Sequence, residues 1–151
     1  MRPLEELKFS SVRPAPSERD FDEFEVRFGV HLPIIYRAFL KCANGGYPAV
    51  DTFESNDGEQ WAVNNFFLIG PETDSTEALA WNYINRRPET LVAFLPIARD
   101  GFGNIFLLSL DSEQTGEVWI WIRDQAEGGL QKLSDRFEEF IDRLDLNPAY
   151  I

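Results

Sequence analysis

Three apolar runs follow one another between residues 90 and 124: TLVAFLPIARD (90–100), GNIFLLSLD (103–111) and GEVWIWIRD (116–124). Each is rich in β-branched and aromatic residues and joins the next through a tight turn, the pattern of an antiparallel meander. Parallel neighbours would need crossovers of roughly a dozen residues or more, which these connections cannot supply. In the last run Val118, Ile120 and Ile122 point one way while Trp119 and Trp121 point the other, so both faces of that strand require cover.

The covering segments read as helices. VRPAPSERD (12–20) begins as a Pro-rich approach that cannot be helical, and Ser17 with Asp20 three residues on makes a near-capping box. Phe21, Phe24 and Phe28 then share one helix face, and Gly29 ends the element. In LPIIYRAFLKCANGG (32–46), Pro33 suits the first helical position. Ile35, Phe39 and Cys42 form the apolar stripe there, widened by Ile34, Tyr36 and Leu40, and Asn44-Gly45-Gly46 closes the helix. YPAVDTFESNDGEQ (47–60) is a polar loop with four carboxylates, no basic residue and an Asn56-Asp57-Gly58 turn. WAVNNFFLIG (61–70) reads as a strand. Thr73-Asp74-Ser75 caps a helix carrying Leu79 and Tyr83 that stops before Pro88, and Ser134 caps a last one with Phe137, Phe140, Ile141 and Leu144 at amphipathic spacing. The order helix, helix, strand, helix, three strands, helix is not the alternation of a doubly wound parallel sheet. It predicts an α+β fold, a mostly antiparallel meander of about four to six strands with helices packed on one face.

Hydrophobic residues make up 44% of the 151 positions and aromatics 14%, too apolar for a disordered acidic segment. The length suits one domain spanning 1–151, with its core over about 18–146. The formal net charge is -12, and every third of the chain is acidic. Phosphate neutralisation needs clustered Lys and Arg, so direct binding of nucleic acid or of an anionic membrane is disfavoured. A basic protein partner is favoured by the same field, although acidity also simply keeps a protein soluble. A single Cys42 excludes an internal disulfide and fits a reducing compartment. With no signal-like start and no long apolar window, the expectation is a cytoplasmic protein, most simply a monomer.

Catalytic chemistry has little to stand on. One His and one Cys cannot by themselves build a Cys/His zinc site, and no paired nucleophile accompanies His31. Cys42 reads as a small buried hydrophobe. DGFGN (100–104) feeds a strand and not a helix, so it is a hairpin turn and not a phosphate loop. The carboxylates have no readable separation, and the acidic loop lacks the calcium-loop order. No cofactor, no metal and no enzyme activity are expected. Trp81, Tyr83, Trp119 and Trp121 read as core residues, while Tyr47 and Trp61 flank the acidic loop as candidate interface anchors.

LPIIYRAFLKCANGG resembles the Leu-Pro, Tyr, Phe-Leu, Asn-Gly-Gly signature of the SUKH superfamily, which includes Smi/Knr-type regulators of yeast cell-wall assembly and many bacterial immunity proteins. FEVRFGVHLP, FFLIG, LPIARDGFGNIFLL, GEVWIWIRD and LSDRFEEFIDRL resemble its other elements in the expected order, over about residues 18 to 146. One departure stands out: many members follow the Trp-rich strand with an Asp-His-Glu-like ending, where this chain has Arg123-Asp124-Gln125. The resemblance implies a non-catalytic binding protein whose partner is a cognate toxin domain, often a nuclease or other nucleic-acid-targeting domain. A Smi/Knr-type regulatory module without a toxin partner is the alternative it leaves open. On this reading Asp51, Glu54, Asp57 and Glu59, with Trp61 and Tyr47, form the toxin-facing surface, and Asp111, Glu113 and Glu117 are second candidates.

Overall fold

The structure is a computed structural model that describes residues 1–70, 75–86, 93–124 and 129–146. After a 3₁₀ turn (Leu4–Leu7) come β1 (Phe9–Ser10), α1 (Glu18–Phe28), α2 (Ile34–Cys42), β2 (Tyr47–Pro48), β3 (Thr52–Glu54), β4 (Gln60–Ala62) and β5 (Asn65–Phe66). The second half holds α3 (Leu79–Asn85), β6 (Phe94–Arg99), β7 (Ile105–Ser109), β8 (Val118–Ile122), β9 (Gly129–Ser134) and α4 (Phe137–Asp142). Strands β5 to β9 form one antiparallel sheet in sequence order, while β1–β2 and β3–β4 are separate two-stranded pairs. The fold is α+β, with the meander at its centre.

Directly paired residues share a sheet face. Phe66, Ala98, Phe106 and Ile120 form one such row, and its face receives the helices. The Phe39 ring of α2 lies 4.9 Å from Phe66, and Phe140 of α4 lies 5.6 Å from Phe106. Phe137 joins the two helices, 5.4 Å from Tyr36 and 5.2 Å from Phe39. The next row, Asn65, Arg99, Ile105, Trp121 and Leu130, faces the other way. On that face Phe94 and Trp119 meet edge-on at 5.9 Å, and Trp119 and Trp121 remain half-buried.

Helix α1 follows its signals: the Ser17 and Asp20 side chains make the reciprocal capping box, and Gly29 closes the helix at φ 65°. Helix α2 differs. Pro33, at ψ 144°, stands just before the first turn instead of inside it. The buried stripe is Tyr36, Phe39 and Leu40, while Ile34, Ile35 and Cys42 are exposed. Cys42 is therefore not the buried hydrophobe expected. Two overlapping apolar stripes compete on this helix, and the one with the larger rings meets Phe66 and Phe137.

Asn44-Gly45-Gly46 does not cap α2, because Ala43 closes the helix in an extended conformation, φ -145°. Asn44, only 3% exposed, instead latches two backbone segments. Its amide nitrogen donates to the carbonyls of Pro14 (3.0 Å) and Ile69 (2.9 Å), and its oxygen accepts from the Ile69 N–H (2.9 Å). At Gly46, φ 98°, a Cβ would stand 2.9 Å from the Ser10 carbonyl oxygen, so the glycine permits β1 to pass close by.

Three further expectations are corrected. Residues 61–70 are not one strand: the chain leaves β4 and turns at Val63-Asn64 into β5. The third helix begins at Leu79 with no side-chain cap, and the Ser75 hydroxyl accepts from the Glu77 N–H ahead of it; Thr73, Asp74 and Pro88 lie outside the described residues. Ser134 ends β9, a strand too polar to announce itself, and its hydroxyl donates to the Arg136 carbonyl at 3.0 Å. Among the described residues, no helix is long and apolar enough to cross a membrane.

Candidate functional site

The acidic segment folds as a hairpin and not as an open loop. β3 and β4 pair Thr52 with Ala62, Phe53 with Trp61 and Glu54 with Gln60. Phe53 is fully buried 5.2 Å from the Phe140 ring, which anchors the base of the hairpin to α4. Trp61, its direct partner, shares that inward face and is half-buried, with its indole N–H buried and unpartnered among the described residues. It packs on the core and is not a free anchor.

The tip is ordered by Ser55. Its backbone N–H donates to the Glu59 carbonyl (2.8 Å), its carbonyl accepts from Gly58 (3.0 Å), and its hydroxyl accepts from the Glu59 N–H (3.1 Å). The same hydroxyl donates to the Asp57 carboxylate, and this bond above all holds Asp57 below its usual carboxylate range. Gly58, at φ 87°, makes the turn. Glu54, Asp57 and Glu59 are exposed, and Asp51 is half-buried beside the Thr52 hydroxyl.

Arg143 binds the hairpin to the end of α4. Its guanidinium donates to the Glu54 carbonyl (2.6 Å), lies 4.5 Å from the Phe53 ring centre and pairs with Glu139 at 3.4 Å. Backbone bonds of 2.9 Å between Thr52 and Asp145 run in both directions alongside β3. Between hairpin and C-terminal segment lies a polar cleft of about 450 Å³, to which Glu54, Asp142 and Asp145 bring carboxylates. Asp142 accepts from the Arg2 backbone N–H at 2.6 Å. The sequence reading missed Asp142, on the polar side of the amphipathic stretch ending at Leu144, and Asp145, which follows that stretch and bridges to Thr52.

The other candidates divide. Tyr47 lies on β2, half-buried, and its hydroxyl donates to Glu77 at 2.9 Å; this bond, before burial, raises its pKa. That partner lies just before α3 and not on the hairpin. Asp111 and Glu113 are exposed on the β7–β8 connection, where the Asp111 carboxylate accepts from the Glu113 N–H at 2.9 Å. Glu117 is engaged internally, accepting from the Trp119 indole (3.1 Å) and pairing with Lys132 (3.5 Å). His31 is fully exposed, 3.8 Å from Glu25. Among the described residues no cluster of His, Cys, Asp or Glu is placed to hold a metal ion.

Residues 15–143 match the SMI1 / KNR4 family (SUKH-1). The chain belongs to that family. Among curated proteins none matches it at a significant level. The SUKH-1 match runs from the approach to α1 through α4, so it includes the whole β3–β4 hairpin and Arg143, while Asp145 falls just beyond it.

Proposed function

We propose that this SUKH-1 protein is a non-catalytic immunity protein that works in the cytoplasm. It binds and neutralises a cognate bacterial toxin domain, a nuclease or another nucleic-acid-targeting domain with a basic surface. The observation that carries this reading is the β3–β4 hairpin, which presents Glu54, Asp57 and Glu59 to solvent on a tip fixed by Ser55. A pre-ordered acidic tip loses little conformational freedom on binding and steers a basic partner toward it. Asp142 and Asp145 add carboxylates along the neighbouring cleft, which Arg2 and Arg143 also line.

The test is growth rescue. The C-terminal domain of any large secreted protein encoded next to this gene is expressed with and without the protein, and survival is scored together with co-purification. Rescue establishes immunity. A well-folded protein that neither rescues nor co-purifies would sink the reading in favour of a Smi/Knr-type regulatory module. The surface is tested separately by Glu54→Lys, Asp57→Lys and Glu59→Lys combined. Association should slow and lose much of its salt dependence, since screening shortens from about 10 Å at 0.1 M to about 3 Å at 1 M ionic strength. Unchanged binding with an unchanged salt slope would move the contact elsewhere.

A further inference from the structure

The β6–β7 turn presents something different. Asp100 is 4% exposed, and its carboxylate accepts from the backbone N–H groups of Phe102 and Asn104 and from the Asn104 side chain, each at 2.8 Å. These bonds close residues 100–104 into a fixed loop, with Gly103 at φ 89°. At its tip Phe102 is 89% exposed. An aromatic ring held in water on an ordered turn is the composition of an interface anchor.

Arginines gather at the same end of the sheet. The Arg123 N–H donates to Asn104 Oδ1 at 3.2 Å, and its guanidinium stacks 5.5 Å from the Trp121 ring centre. Arg99 lies on the Trp121 row, held by Asn65 at 2.7 Å. Arg86, ending α3, stacks 5.1 Å from Trp81. Partial burial first, then the charges of Arg123 and Arg99, hold Arg86 below the usual guanidinium range, so both lie within electrostatic reach of Arg86. Arg2, Arg19, Arg37, Lys41, Lys132, Arg136 and Arg143 all have carboxylate partners. Among the described residues, Arg86, Arg99 and Arg123 have none within ion-pair distance. Asp124 adjoins Arg123 and Asp100 closes the neighbouring turn, so the three guanidiniums outnumber these two carboxylates by one. In a chain of net charge -12, this is a small local excess of positive charge.

We propose that this end of the sheet is a second docking surface, which takes an acidic polypeptide segment whose apolar side chain packs on Phe102 and whose carboxylates meet Arg123 and Arg86. Charge complementarity selects that partner and excludes the basic one proposed for the hairpin. The two surfaces are independent, so either can fail alone.

The experiment titrates isotope-labelled full-length protein with a short alternating Glu/Leu peptide, its Lys/Leu counterpart and inorganic pyrophosphate. Amide shifts follow binding. The acidic peptide should move residues 101–104 and 121–124, and the basic peptide should leave them in place. Phe102→Ala and Arg123→Glu, both at exposed positions, should each weaken the acidic peptide about tenfold. No shift at these residues, or equal shifts from the Lys/Leu peptide, would overturn the proposal. So would pyrophosphate binding there untouched by Phe102→Ala, which would make the cluster a small-anion site.

Discussion

Asn44 is the side chain whose removal should hurt the fold most for its size. It makes three buried hydrogen bonds, to the carbonyls of Pro14 and Ile69 and from the Ile69 N–H, and is 3% exposed. Asn44→Ala deletes all three and leaves the Ile69 N–H unpaired where water reaches poorly. At about 1 kcal/mol for each of the two bonds to carbonyls, plus about 1–3 kcal/mol for the orphaned Ile69 donor, the loss is roughly 3–5 kcal/mol. For a chain of this size that corresponds to a fall in Tm of roughly 6–20 °C. Asn44→Asp sharpens the test. It keeps the acceptor for Ile69 but turns a carboxylate toward two carbonyl oxygens, so its folded pKa should rise above the unfolded value near about 3.9. The penalty is then full at neutral pH and relieved as pH falls toward about 4, where the protonated acid can donate. Urea unfolding of wild type and both variants across pH reads this directly. A loss below about 1 kcal/mol in Asn44→Ala, or an Asn44→Asp penalty that ignores pH, would refute the latch.

Gly46→Ala should cost more than about 2 kcal/mol, because strain at φ 98° adds to a 2.9 Å approach to the Ser10 carbonyl. Gly29→Ala, at φ 65° with open space around its Cβ, should cost about half as much; equal unfolding free energies for the two would remove the close-approach argument. Asp57, lowered by Ser55, contributes stability above its unfolded pKa that is lost as pH falls through the folded one. The gap in urea midpoint between wild type and Ser55→Ala should therefore narrow as pH falls below about 4, and a constant gap would contradict the assignment. Arg143→Met keeps an apolar stem over Phe53 but loses the donors to Glu54 and Asn56, so the amides of Ser55, Gly58 and Glu59 should exchange hydrogen faster. Unchanged exchange there would mean the hairpin orders itself without α4.

What the sequence made legible were the elements with local signals. The Ser17 and Asp20 pairing, the three-residue and four-residue spacing of Phe21, Phe24 and Phe28, and the meander of β6, β7 and β8 each needed only neighbours in the chain. The misreadings occur where a tertiary partner decided between local options. Two stripes were available on α2, and Phe66 with Phe137 selected the one without Cys42. The Asn-Gly-Gly tripeptide looks like a helix stop, but its role depends on Ile69, Pro14 and Ser10, up to 36 residues away by position. β9 carries Gln131 and Lys132 on a partly exposed edge and so lacks the alternation that reveals a half-buried strand. At the candidate site the carboxylates 51–59 were visible as a cluster, whereas Asp142 and Asp145 came to them only through the Thr52 pairing and Arg143.

The two projecting turns differ in charge but share a construction: one buried or half-buried polar side chain, Ser55 or Asp100, closes the backbone and leaves neighbouring side chains pointing into solvent. Order at the tip is thereby separated from the identity of what it displays. Glu54, Glu59 and Phe102 carry no core packing, so substitutions there should stay within about 0.5 kcal/mol of wild-type stability. The latch at Asn44 and the ring cluster of Phe39, Phe66, Phe137 and Phe140 can then remain fixed while the displayed chemistry changes. A shared scaffold can in this way serve unlike partners. Changing charge on either tip should alter association without loosening the core, and this lets a binding defect in such variants be read as a lost contact.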